Sequence, residues 1–227
     1  MKNIKPIITL SLLPLLLTGC VSKGISQDEF LPKKEASEAY LSDANNCPTD
    51  IHIQNKGGVE KYDYKEGEFY TYRMFALILI VPVTSGTYTW KEDGKYYHAE
   101  THTDSKKNKK SEITEEQFNT YMLQHKAKIM SELNVPLARV NDLLNPNEEI
   151  YSSVDNKFYA LGDTGWKMIS KVSYVDENAK DAKITIEFNH DLPVKYTTKT
   201  DSESYYKYEL NKATLVPPNF DSTSESN

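Results

Sequence analysis

The chain has 227 residues, 38% hydrophobic and 26% charged, with 27 basic and 33 acidic side chains giving a formal charge of −6. That length suits one domain with a substantial core. The acidic balance argues against a nucleic-acid binder, because neutralising phosphates needs clustered Lys and Arg. Sixteen Tyr against nine Gly favour strands that carry amphipathic rings.

Lys2 and Lys5 precede an apolar run from Ile7 to Leu17. Eleven residues are too few for a transmembrane helix, which needs about twenty, and Pro14 interrupts them. Residues 1–19 therefore read as an export signal. The run closes on Leu17-Thr18-Gly19-Cys20, which resembles the lipobox of bacterial lipoproteins. The resemblance implies cleavage before Cys20, a diacylglycerol on its sulfur and a third acyl chain on the new amino terminus. Val21, where an Asp favours retention at the inner membrane, implies the outer membrane and its periplasmic face. Several acyl chains anchor a soluble chain durably where one holds it only marginally. The membrane is thus the expected partner of the N-terminus. Loss of residues 1–19 removes two lysines and moves the charge from −6 to −8 (25 basic, 33 acidic).

Acylation takes one of the two cysteines and leaves Cys47, in NNCPTD, without an intramolecular partner. It is either a tolerated loop thiol or a link to another chain. CxxC, Walker, GxGxxG, HExxH and GxSxG patterns are missing, and no cofactor is expected.

Residues 20–60 read as the lipidated cysteine and a tether with one short helix, Pro32 standing at the helix start. Residues 61–216 read as an α+β globular domain. Met74 to Val83 form a ten-residue apolar run, too short to span a membrane and suited to a strand buried on both faces. Asp93-Gly94 signals a two-residue hairpin, because a type I′ turn needs positive φ at both central positions. Its register sets Trp90 against Tyr97 and Tyr88 against Ala99 on an apolar face, with Thr89–His98 and Thr87–Glu100 on the other.

After the lysine-rich KKNKK, Thr114 and Gln117 form a capping box. Phe118, Tyr121, Met122, His125, Ile129 and Leu133 recur at helical spacing. Pro136 ends that helix and opens a second one, to Leu144. Ile184, Ile186 and Phe188 alternate with polar residues in the first of several closing strands. Residues 217–227, a polar stretch, read as a disordered tail. The expected fold is an antiparallel twisted sheet of hairpins with a helix or helix pair packed on one face.

His98, Glu100 and His102 share one strand face and are weak metal candidates, since the two histidines lie ~13 Å apart and need a third ligand from elsewhere. His125 reads as a core-edge histidine. Ser204 and Lys207 match SxxK formally, but on a strand they point to opposite faces. Lys106, Lys107, Lys109 and Lys110 form a solvated loop, with anionic headgroups as an alternative contact. Tyr88, Trp90, Tyr96 and Tyr97 are the candidate binding residues, since aromatic rings supply contact area with few rotors. The expected function is a non-catalytic binding or scaffolding lipoprotein with an envelope protein as partner and no nucleic acid. The alternatives are a periplasmic hydrolase using Glu100 or His125, and a carrier of small hydrophobic ligands with a pocket between helix stripe and sheet.

Overall fold

The computed structural model describes residues 22–55, 60–78 and 81–215, with the backbone alone at 75–78, 81–82 and 105. The expected signal segment 1–19, Cys20 and the tail 217–227 lie outside the described residues. Strand β1 (Ser22–Ile25) leads into helix α1 (Gln27–Ser42) through a capping box: the Glu29 N–H donates to Ser26 Oγ and the Ser26 N–H to Glu29 Oε2. The helix thus begins five residues before Pro32, which sits inside it. Within the stretch 20–60 expected as a tether with one short helix, residues 22–55 hold this 16-residue helix and two strands of the sheet. Phe30 and Leu41 of α1 and Ile51 and Ile53 of β2 (Asp50–Asn55) are buried in the main core.

From β2 the chain runs through β3 (Glu60–Lys65), β4 (Glu68–Ile78), β5 (Val81–Glu92), β6 (Lys95–His102) and β7 (Lys109–Ile113), each pairing antiparallel with the next. After α2 (Glu115–Leu144) a second meander follows: β8 (Tyr151–Leu161), β9 (Gly165–Tyr174), β10 (Ala182–Asn189), β11 (Leu192–Lys199) and β12 (Glu203–Leu210). β12 pairs with β2 and joins the two meanders, while β1 lies along β8. The result is a 12-stranded sheet ordered β1-β8-β9-β10-β11-β12-β2-β3-β4-β5-β6-β7. The described residues form an α+β fold, mostly antiparallel sheet with two α-helices.

Asp93 (φ 50°) and Gly94 (φ 79°) make the expected turn, and Glu92 pairs with Lys95. The apolar run 74–83 behaves otherwise. It splits between the end of β4 and the start of β5, with Ala76 opposite Val83 and Ile78 opposite Val81, and so is not one doubly buried strand.

Thr114 and Gln117 cap α2 as expected, and Phe118, Met122, Ile129 and Leu133 are buried. Instead of two helices there is one of 30 residues running through Pro136. Proline cannot donate to the carbonyl four residues back. Here that carbonyl, Glu132 O, accepts from the buried Tyr208 hydroxyl of β12 at 3.3 Å. A distant residue supplies the missing donor, and the helix continues. In β10, Ile184, Ile186 and Phe188 are all at most 1% exposed, as their alternation requires.

Gly86 of β5 admits a close backbone approach. A Cβ there would lie 2.1 Å from Thr71 O and 2.8 Å from Thr101 Oγ1. Gly86→Ala is expected to cost on the order of 2 kcal/mol, read from the urea midpoint. An unchanged midpoint would mean that β4 moves aside freely.

Candidate functional site

The β5–β6 register is the expected one, and alternation sends neighbouring side chains to opposite faces. On one face Tyr70 of β4 meets Tyr88 edge-on at 6.0 Å, Tyr88 meets Trp90 at 4.8 Å, and Trp90 stacks on Tyr97 at 5.2 Å. Lys110 of β7 lies over the Tyr97 and Trp90 rings, at 4.0 and 5.1 Å, and 3.8 Å from Glu92. Tyr88 donates to Glu68 and Trp90 to Glu92. Burial, with the Glu68 carboxylate adding to it, holds the Tyr88 phenol well above its ordinary pKa.

This strip forms a second, smaller core, separate from the main one. Tyr88 and Trp90 are 1% and 5% exposed, and their partners Tyr70 and Tyr97 are half-buried. Leu215 also packs against it. The Leu215 segment is pinned by the Ala213 N–H on Asp50 and the Thr214 N–H on Asp63. Of the four candidate binding residues, Tyr88, Trp90 and Tyr97 come together. Tyr96 does not: being one position out of phase, it packs on Phe118 of α2 at 4.8 Å and donates to Glu115. Tyr88 and Trp90 serve as the floor of the strip, and Tyr70 and Tyr97 as its accessible rims.

The opposite face of the hairpin is polar in sequence, yet it meets α2 and is not solvated where it does so. Thr89 is fully buried, and its Oγ1 lies 2.9 Å from His98 Nδ1 and 3.3 Å from His125 Nε2. One hydroxyl carries one proton, so Thr89 donates to one ring and accepts an N–H from the other. His125 stacks on Phe69 at 3.7 Å and His98 on Tyr121 at 4.3 Å. Burial lowers the pKa of both, that of His125 to about 3. Two neutral rings sharing one hydroxyl make a packed, satisfied polar cluster.

Glu100 and His125, the alternative hydrolase sites, lie in different surroundings. Glu100 is exposed opposite Lys109, while the polar partner of His125 is Thr89. His98, Glu100 and His102 alternate on one strand as expected, but His98 is half-buried in its stack and the other two are exposed. Among the described residues no group of three His, Cys, Asp or Glu side chains is placed to hold a metal ion. Cys47 is half-buried and unoxidised, its Sγ 3.7 Å from Pro48 O, and burial raises its thiol pKa.

Two of the clefts beside the described elements border the helices. One of about 620 Å³ lies between the middle and end of α1 and the β8–β9 and β10–β11 turns, lined by Pro32, Tyr40, Trp166 and Asp191. The other, about 380 Å³, is lined by Tyr62, Thr71, Arg73, Gly86, Thr87 and Lys128. Neither matches the expected pocket along the α2 stripe, where Ile129 and Leu133 are fully buried against side chains of the main core.

Sequence reasoning passed over Tyr70, and it placed Thr89 opposite His98 and Lys110 in a solvated loop without bringing either to a site. The alternation of Tyr70 with Tyr72 marks a strand, but pairing Tyr70 with Tyr88 needs the β4–β5 register, which the alternation of either strand does not fix. Compared with protein-family models, curated proteins and solved structures, the chain finds no match.

Proposed function

We propose that the protein is a non-catalytic binding or scaffolding lipoprotein of the bacterial envelope, acylated at Cys20 and held at the periplasmic face of the outer membrane. The observation that carries the binding part is the strip Tyr70–Tyr88–Trp90–Tyr97 with Lys110 across it. Interface hot spots are enriched in Trp and Tyr and sit at well-packed centres, and this strip offers a packed Trp–Tyr floor with half-buried Tyr rims. In this reading both helices lie on one face of a twisted sheet and the strip on the other. The division of the buried side chains into two clusters supports that layering. Hydrolysis has less support, because the two histidines are neutral and tied to Thr89.

Two measurements test the proposal. Wild-type protein is expected in the outer-membrane fraction after carbonate washing, and a Cys20→Ala variant is expected either unprocessed or released. A processed variant that resists the wash would place the anchor elsewhere. A photoreactive residue at position 97 should give one defined adduct with an envelope protein in intact cells, lost on Tyr70→Ala. Absence of any adduct, with the fold intact, would remove the strip from consideration as a docking surface.

A further inference from the structure

β4 and β5 extend together past the rest of the sheet. β3 pairs with β4 only between Glu68 and Arg73, and β6 pairs with β5 only from Ser85 onward. Beyond those limits Met74–Ile78 and Val81–Thr84 pair only with each other among the described residues. The ribbon reaches about 16 Å past the last shared rung, at ~3.3 Å per residue. Its sequence up to Val83 holds no charged side chain: Met74, Phe75, Ala76, Leu77 and Ile78 on one strand, then Val81, Pro82 and Val83 on the other. Because alternate residues take opposite faces, such a run is apolar on both. A bare two-stranded ribbon is marginal in water, so this composition calls for a cover.

A basic loop is tied to the ribbon's base. The Thr103 N–H donates to Thr84 O at 3.1 Å, and the two threonine hydroxyls lie 3.1 Å apart. From there the chain makes a short helical turn and enters β7, exposing Lys106, Lys107 and Lys109. Buried Asn108 fixes the loop by accepting the His102 N–H at 2.8 Å, and Asp104 accepts the Lys106 N–H. The loop lines a cleft of about 490 Å³. In a chain with a formal charge of −6 this is a local reversal of sign, placed beside its most apolar segment.

We propose that the β4–β5 ribbon is a membrane wedge and the 106–109 lysines its collar, together seating the domain on a bilayer bearing anionic headgroups. An apolar element with a basic rim matches the layering of such a surface: headgroup charge first, acyl chains beneath. Its apolar character on both faces suits a medium that surrounds it, where a protein groove would cover one. The depth is limited. Among the described residues neither Met74–Ile78 nor Val81–Val83 pairs with a third strand, and hydrocarbon cannot satisfy free N–H and C=O groups, so the ribbon settles at the headgroup–acyl boundary, about 5–10 Å deep. This contact is separate from acylation of Cys20 and from the aromatic strip.

The test uses the whole mature chain with Cys20→Ala, so that no acyl chain contributes. It should co-sediment with phosphatidylglycerol-containing vesicles, less with pure phosphatidylcholine, and the difference should vanish in high salt. Leu77→Asp is expected to lower vesicle affinity about tenfold or more. Lys106→Glu with Lys107→Glu should lower it on anionic vesicles alone. Circular dichroism and the thermal midpoint are expected to stay as in the parent. The emission of a Trp placed at position 78 should shift to the blue when vesicles are added. Parent-like binding by Leu77→Asp, or an unshifted emission, overturns the wedge. So does a change of oligomeric state with Leu77→Asp, which would assign the ribbon to a contact between copies.

Discussion

Phe30→Ala is expected to lower the unfolding free energy by about 3–5 kcal/mol, the usual range for emptying a phenylalanine site that cannot collapse. Phe30 is fully buried, stacks on Phe158 at 4.4 Å and meets Trp166 edge-on at 5.1 Å. Trp166 in turn stacks on Phe188 at 4.2 Å and donates from Nε1 to Ser37 of the same helix. The α1 side chain is therefore part of an aromatic stack that crosses β8, β9 and β10, and rigid neighbours on every side keep the cavity open. A domain of this size is stable by roughly 5–15 kcal/mol, so the loss is a large share of the total. The thermal midpoint should fall by on the order of 10 °C. Urea denaturation gives the free energy directly. A cost below about 1 kcal/mol would show that α1 docks loosely and belongs to a tether after all.

Acid should destabilise the fold through His125. Burial holds its ring pKa at about 3 in the folded protein, against an ordinary value of 6.5. As the pH falls below 6.5 the unfolded chain takes up a proton that the folded one refuses. Stability is then complete above that value and declines toward the folded pKa. The slope is at most about 1.4 kcal/mol per pH unit. His52 acts in the opposite sense. Its hydrogen bond to Asp63, 2.7 Å long, raises its pKa, so its contribution is full in acid and fades as the pH rises through the raised value. The two must be separated by substitution. His125→Gln keeps a hydrogen-bonding group for Thr89 but cannot titrate. The difference in stability between wild type and variant should tilt steadily between pH 7 and about 4.5. A flat difference would mean that His125 charges freely in the folded state.

These two sites lie at different distances from what the sequence discloses. The apolar stripe of α2, its Thr114–Gln117 cap, the Asp93-Gly94 turn and the β10 alternation were all legible, because each depends on residues within a few positions of one another. Even the pairing of Thr89 with His98 followed from the turn. The α1 cap was equally local, in Ser26 and Glu29, and a search for capping boxes ahead of Pro32 finds it. What did not follow was sidedness. Alternation divides β5 and β6 into two faces but does not say which of them meets a helix. The apolar Tyr88–Trp90 face pointed to the core by composition, yet α2 lies against Thr89 and His98.

The local periodicities of this chain determined where its helix stripe, capped starts and tight turn fall, since those are set by dihedral preferences and by hydrogen bonds spanning three or four residues. The tertiary structure alone decided three further things. Pro136 stays inside a helix because Tyr208, far along the chain, supplies a donor for Glu132 O. The run 74–83 is divided between two strands because the end of β4 and the start of β5 pair with each other. The charged β7, reading as a loop, becomes an edge strand because β6 offers it a free ladder and an outer edge tolerates lysine. Each of these depends on a partner group distant in sequence, which no window along the chain contains.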